Sequence, residues 1–199
     1  MRSFAILLTL VTGAIAAVIP TNTTDGVYVV TEDEFGNEIH KRISNPIHSV
    51  SEARSLLAES EKQLYGRDDW LANENTPEYS KYCGCGFTLP TGDTDAAVAD
   101  IKIQMGSGKW FKNKAVYAIR GITVAFVCNR SDDRQAWASS GHITKLLARV
   151  SKACGSYVPG TCHQNQGNDG TTTANIGYMR WYSGLDFCDK AQGSDQHGC

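Results

Sequence analysis

From Tyr82 onward the apolar positions switch repeatedly between alternation and helical spacing, and each switch predicts an element boundary. Tyr82–Leu89 reads as a glycine-rich strand. Asp93 or Thr94 then caps a helix through Met105, with Ala97, Ile101 and Met105 on one face and Gly106 as its stop. Two β-branched runs follow, Ala115–Ile119 and Ile122–Cys128, split by Arg120-Gly121 as two strands around a turn would be. Ser140 opens a second helix through Ala153, whose Ile143, Leu146, Leu147 and Val150 form a buried stripe closed by Gly155. A Gly/Asn/Thr-rich loop leads to a last strand, Asn175–Tyr182. Upstream, Ser49 and Glu52 stand in capping-box spacing at the head of an amphipathic helix, Ser49–Tyr65. The polar stretch Arg67–Lys81, with Pro77, reads as a linker.

The resulting order, β-α-β-β-α-β, belongs to the α+β class. Its well-populated solution is a split β-α-β sandwich, an antiparallel sheet with both helices on one face. In that topology the first strand lies between the third and fourth and runs opposite to both. Cys83, Cys85, Cys128 and Cys188 then gather at one sheet edge. Cys83 and Cys85 are expected to pair, in either order, with Cys128 and Cys188, while Cys154 and Cys162 close a short loop and Cys199 is left over.

Composition sharpens this division. All seven cysteines lie at or after Cys83, and charge divides at the same place: Val18–Tyr82 carries six Lys/Arg against twelve Asp/Glu, and Cys83–Cys199 twelve against nine. With 199 residues and 41% apolar positions, the chain suits one globular domain of ordinary size, preceded by an acidic leader. The mildly basic core lacks the dense positive patch that nucleic-acid binding demands, so no nucleic-acid partner is expected.

Met1 and Arg2 precede an apolar run that ends in small residues, which reads as a signal peptide over 1–17 and implies secretion. The run is too short for a membrane span. Lys41-Arg42, between acidic and polar segments, reads as a kexin-type cleavage site that ends a propeptide over 18–42. Residues 43–81 then form the helical leader and linker, and 82–199 the cysteine-containing domain. Asn22 and Asn129 head the two glycosylation sequons, Asn129 in a polar turn beside Cys128.

Candidate chemistry is sparse. In an oxidising compartment Cys83-Gly84-Cys85 and Cys154, Cys162 and His163 read as disulfide cysteines with a nearby histidine, so neither metal nor cofactor is expected. No nucleophile elbow is present, and Gly106-Ser107-Gly108-Lys109 is too short for a phosphate loop. His142 and His163 offer an acid/base pair for a small secreted nuclease, with Lys145, Arg149 or Arg180 to stabilise phosphate charge. The blander reading gives Asp93, Asp95 and Asp100 to the helix dipole and leaves both histidines without a catalytic task. In the last strand Tyr178, Arg180 and Tyr182 share one face, with Met179 and Trp181 on the other. With helices covering one side of the sheet, a Tyr-Arg-Tyr row on the open side is a candidate binding surface.

The helix Asp93–Met105, Gly108-Lys109-Trp110, the strand Gly121–Phe126, the helix from His142 and the aromatic final strand together resemble the fungal killer-toxin-like proteins and related necrosis-inducing secreted effectors. The resemblance covers most of residues 82–188. It implies an α/β sandwich stapled by disulfides, secreted by a fungus and acting as a toxin or virulence effector rather than an enzyme. Family cysteines in the first helix and third strand fall here on Ile101 and Val124, and no functional residue carries over. The expectation is therefore a secreted, monomeric effector that binds a host or competitor protein or surface component, with Cys199 available for an intermolecular bridge. A secreted hydrolase using His142 or His163 is the alternative.

Overall fold

In the computed structural model, residues 17–46, 79–84, 88–131, 135–164 and 174–192 are described. Their elements run β1 (Gly26–Glu32), β2 (Glu38–Ser44), β3 (Tyr79–Cys83), α1 (Thr91–Met105), β4 (Lys109–Phe111), β5 (Ala115–Arg120), β6 (Thr123–Asn129), β7 (Ala136–Ala138), α2 (Ser140–Cys154), β8 (Gly160–Gln164), β9 (Ala174–Arg180) and α3 (Phe187–Gln192). Seven strands form one antiparallel sheet in the order β2-β1-β5-β6-β9-β8-β3, and β4 pairs with β7 in a separate ribbon. The expected helix Ser49–Tyr65 lies outside the described residues.

The class is the expected one: α+β, an antiparallel sheet packed against two helices and held by disulfides. The stripe Ala97, Ile101 and Met105 of α1 and the stripe Ile143, Leu146 and Val150 of α2 meet the same sheet face, where Val116, Ala118, Ala125, Val127 and Ile176 complete the main core. Ser139, one residue before the expected cap, accepts a bond from the His142 backbone N–H at 3.0 Å and starts α2. No side chain caps α1. Instead Thr94, inside its first turn, donates its hydroxyl to Pro90 O.

Strand order departs from expectation in two places. The sheet centre pairs β6 directly with β9, and β3 sits at the far edge against β8, a five-residue strand that sequence periodicity does not reveal. The other edge is supplied by residues 26–44, the region read as propeptide and leader, which fold as a hairpin with β1 against β5. Lys41 and Arg42 lie within β2, and both are exposed.

Topology decides the disulfides. Because β3 runs beside β8 rather than between β6 and β9, Cys83 lies near the end of α2 and pairs with Cys154 at a Cα–Cα distance of 5.3 Å. Cys128 and Cys188 pair with each other at 5.9 Å, tying α3 to β6. The expected joining of Cys83 with Cys128 or Cys188 is thus corrected, as is the Cys154–Cys162 loop. Cys162 is a buried free thiol in the main core, its side chain turned into the space under the helices. Cys85 and Cys199 lie outside the described residues.

The sheet face opposite the helices is also covered. Ala17 and Ile19 pack there with Leu185, Phe187 and the Cys128–Cys188 bridge, over Tyr28, Tyr117, Ile119, Val124 and Phe126. The chain therefore builds three layers where the pattern predicted two.

Candidate binding surface

α1 and α2 lie side by side on the sheet, and the residues facing each other across their junction are short or polar. Asp95, Val98 and Lys102 recur at helical spacing on α1, and Thr144, Ala148 and Ser151 on α2. The helices consequently leave a groove of about 320 Å³ between them. Tyr178 of β9 forms part of its lining, 4% exposed, with its hydroxyl 3.5 Å from Ser151 Oγ.

Tyr157 borders one end of the groove. It holds a left-handed φ of 61°, unusual for an aromatic residue, and its hydroxyl donates to Asp95 Oδ2 at 3.3 Å. The carboxylate beside it raises the phenol's pKa, so the phenol stays protonated and keeps donating. A strained backbone held by such contacts is a feature that clusters at binding sites.

β9 carries the groove outward. Thr123 is the Cα partner of Arg180, and its hydroxyl is 3.3 Å from that of Thr94, which also lines the groove. Arg180 thus emerges where α1 begins, and it is exposed. Beyond it the Trp181 N–H donates to Ile122 O at 2.8 Å, holding the strand end to the β5–β6 turn. Ile122 is 42% and Tyr182 48% exposed. Together Ile122, Arg180 and Tyr182 form an apolar, aromatic and cationic lip.

Here the expected Tyr-Arg-Tyr row is corrected. Tyr178, Arg180 and Tyr182 were expected on a face open to solvent, yet Tyr178 joins the helix-side core and Met179 the opposite cluster. The reason is the third layer: with residues 17–19 and α3 covering the far face, neither side of β9 is open along its length. Only the residues past the helix cover reach solvent.

The histidines do not come together. His142 is wholly buried beside Trp137, with ring centroids 5.6 Å apart, and burial pushes its pKa down to about 4. His163 follows Cys162 in β8, so it projects to the face opposite the helices, where it bonds to Asn175. Sheet alternation therefore separates the expected acid/base pair. Lys145 is exposed on α2 and Arg149 half-buried. Among the described residues no group of three or more His, Cys, Asp or Glu is placed to hold a metal ion. None of the described helices is long and apolar enough to cross a membrane.

Asn22 is exposed in a turn, whereas Asn129 is not in the open polar turn expected of it. It is 7% exposed, its Nδ2 donating to Phe111 O at 3.3 Å and its Oδ1 accepting from the Ser131 N–H. The groove itself escaped notice in the sequence, although its signal was present in the Thr144, Ala148, Ser151 stripe beside the apolar face of α2. Compared with protein-family models, curated proteins and solved structures, the chain matches none.

Proposed function

We propose that this chain is a secreted, disulfide-stabilised effector or toxin-like protein that acts by binding a host or competitor protein or surface component. The observation that carries the reading is the α1–α2 groove together with the exposed Ile122, Arg180 and Tyr182, Arg180 being the strand partner of Thr123, whose hydroxyl lies against the groove-lining Thr94. Tyrosine and arginine are the residues on which binding energy concentrates, because each offers a large contact area together with a polar group that fixes orientation. A groove beside them gives a partner's side chain a place to be desolvated.

The two disulfides among the described residues support secretion, since such bonds persist in oxidising compartments. So does the apolar N-terminal run with its small-residue end. The resemblance to fungal killer-toxin-like and necrosis-inducing effectors supports the toxin or virulence role, and the layers it implies are those of a disulfide-stapled sheet under two helices.

The test is capture from host extract on immobilised, oxidised protein, followed by a toxicity or necrosis assay. The Arg180→Ala/Tyr182→Ala double variant should lose both activities, while Lys152→Ala, on the exposed end of α2, keeps them. Undiminished capture and toxicity in the double variant would refute the reading.

A further inference from the structure

The dibasic pair Lys41-Arg42 and the hairpin that contains it are not used by the binding surface. We propose that the Arg42–Ile43 peptide is a processing bond, and that its hydrolysis leaves the fragment ending at Arg42 seated on the edge of β5 as a non-covalent, exchangeable cap.

Three observations present the bond to a protease. β2 is an edge strand with Lys41, Arg42 and Ile43 all exposed, so the segment is already extended and one side of its backbone is unpaired within the sheet. The pairing register slips at this point: Tyr28 is the partner of Arg42 and Val27 that of Ser44, which leaves Ile43 as a bulged residue opposite nothing. The bulge thus falls on the residue that would follow the cut, where the ladder is weakest. The third is the dibasic sequence itself, which a subtilisin-like endoprotease of the kexin type recognises. Against these, the Arg42 guanidinium donates to Asp25 O at 2.5 Å and lies 6.0 Å from the Tyr28 ring. It must swing off to enter a protease pocket, a movement of an exposed side chain only. Hydrolysis adds water across the amide, leaving a carboxylate on Arg42 and an ammonium on Ile43.

Retention follows from what the fragment buries. No cysteine precedes Cys83, so after the cut nothing covalent joins the fragment to the domain. Yet Gly26–Val30 pairs residue by residue with Ile119–Ala115, and the fragment buries Val27 in the main core and Ile19, Tyr28 and Val30 in the cluster on the opposite sheet face. Polar contacts close the seam: Lys114 Nζ reaches Glu38 Oε1 at 2.8 Å and Glu32 Oε1 at 3.0 Å, and His40 Nδ1 lies 3.0 Å from the Tyr117 hydroxyl. Removal would uncover both the β5 edge and part of the core, so the cap stays until something displaces it. Cleavage thereby converts an integral pair of strands into a replaceable one.

The proposal does not depend on the binding reading, because its readouts are mass and co-elution. Folded, oxidised full-length protein is treated with a kexin-type endoprotease. The expected result is one cut after Arg42, with the fragment co-eluting on size exclusion and separating in concentrated guanidinium chloride without reductant. A labelled synthetic peptide of residues 18–42 should then exchange into the cut protein and not into the uncut one. Lys41→Gln/Arg42→Gln and, separately, Ile43→Pro should resist cutting, proline being tolerated at a bulge on a free edge. If the folded chain stays intact while the unfolded chain is cut at Arg42, or if the fragment separates as soon as the bond is broken, the proposal fails.

Discussion

Arg120 at the end of β5 grips Asp100 in the middle of α1 through two parallel bonds, Nε to Oδ2 at 2.6 Å and Nη2 to Oδ1 at 2.9 Å. The Asp100 side chain is entirely buried and that of Arg120 nearly so. The pair fastens the first helix to the sheet at one register. Removing one member takes the bidentate partner from a buried charge, so Asp100→Ala or Arg120→Ala should each lower unfolding free energy by about 3–5 kcal/mol. Replacing both together, Asp100→Leu with Arg120→Met, should recover most of the loss. Urea denaturation of the three variants checks this, and equal losses in the singles and the double would show that burial geometry rather than charge pairing sets the cost.

His142 predicts an acid sensitivity. Its pKa falls from the ordinary histidine value to about 4, chiefly because burial excludes the water that would solvate the imidazolium. A group whose folded pKa is depressed binds protons more readily when unfolded. Stability should be full above the unfolded pKa of about 6.5, fall as the pH drops, and level off below about 4, a loss of about 3 kcal/mol. Equilibrium unfolding between pH 7.5 and 4 should show this slope in the native sequence, and His142→Gln should flatten it.

Cys162 should behave as a thiol in name only. Burial pushes its pKa up to about 11, so near pH 8 about one molecule in a thousand carries the thiolate, and the thiol is shielded within the core. Iodoacetamide should leave Cys162 unmodified in the folded protein and alkylate it once the chain is unfolded. Peptide mapping without reduction should find Cys83 joined to Cys154 and Cys128 to Cys188. Rapid labelling of Cys162 in the native state would mean that β8 opens far more readily than its packing implies.

How much of this was legible in the sequence varies with what surrounds each element. α1 and α2 declare themselves because one apolar stripe of each meets the main core, and β5, β6 and β9 because they are short, mostly apolar runs buried on both faces. β8 does not, since Gly160-Thr-Cys-His-Gln is nearly all small or polar and becomes a strand only through its two neighbours. β1 carries a strand signal in Val27-Tyr28-Val29-Val30, but the acidic surroundings and the dibasic pair favour reading it as a disposable leader. The hairpin turn was marked too: Asp33 Oδ1 accepts from the Phe35 and Asn37 N–H groups, and Gly36 supplies the φ of +81° that the turn needs. Missing that hairpin, with residues 17–19, hid the third layer and so put the Tyr178 face on the wrong side. The groove was only half legible for another reason: the Thr144, Ala148, Ser151 stripe marks one wall, but the groove is defined by two helices jointly and by neither alone.

The lip makes a prediction that separates binding from folding. Arg180→Ala and Tyr182→Ala remove exposed side chains, so each should change unfolding free energy by no more than about 0.5 kcal/mol. If they anchor a partner, each should weaken target affinity at least tenfold, about 1.4 kcal/mol. Thermal melts alongside a binding titration read the two effects independently.

The two bridges span overlapping stretches of chain, Cys83 to Cys154 and Cys128 to Cys188. Every peptide bond from Cys83 to Cys188 therefore lies inside at least one covalent ring. A protease that cuts this stretch once opens a ring and releases nothing; two cuts are needed before any piece can leave. The overlap gives the whole span from β3 to α3 a tolerance of one nick, a kind of persistence that neither bridge alone would provide.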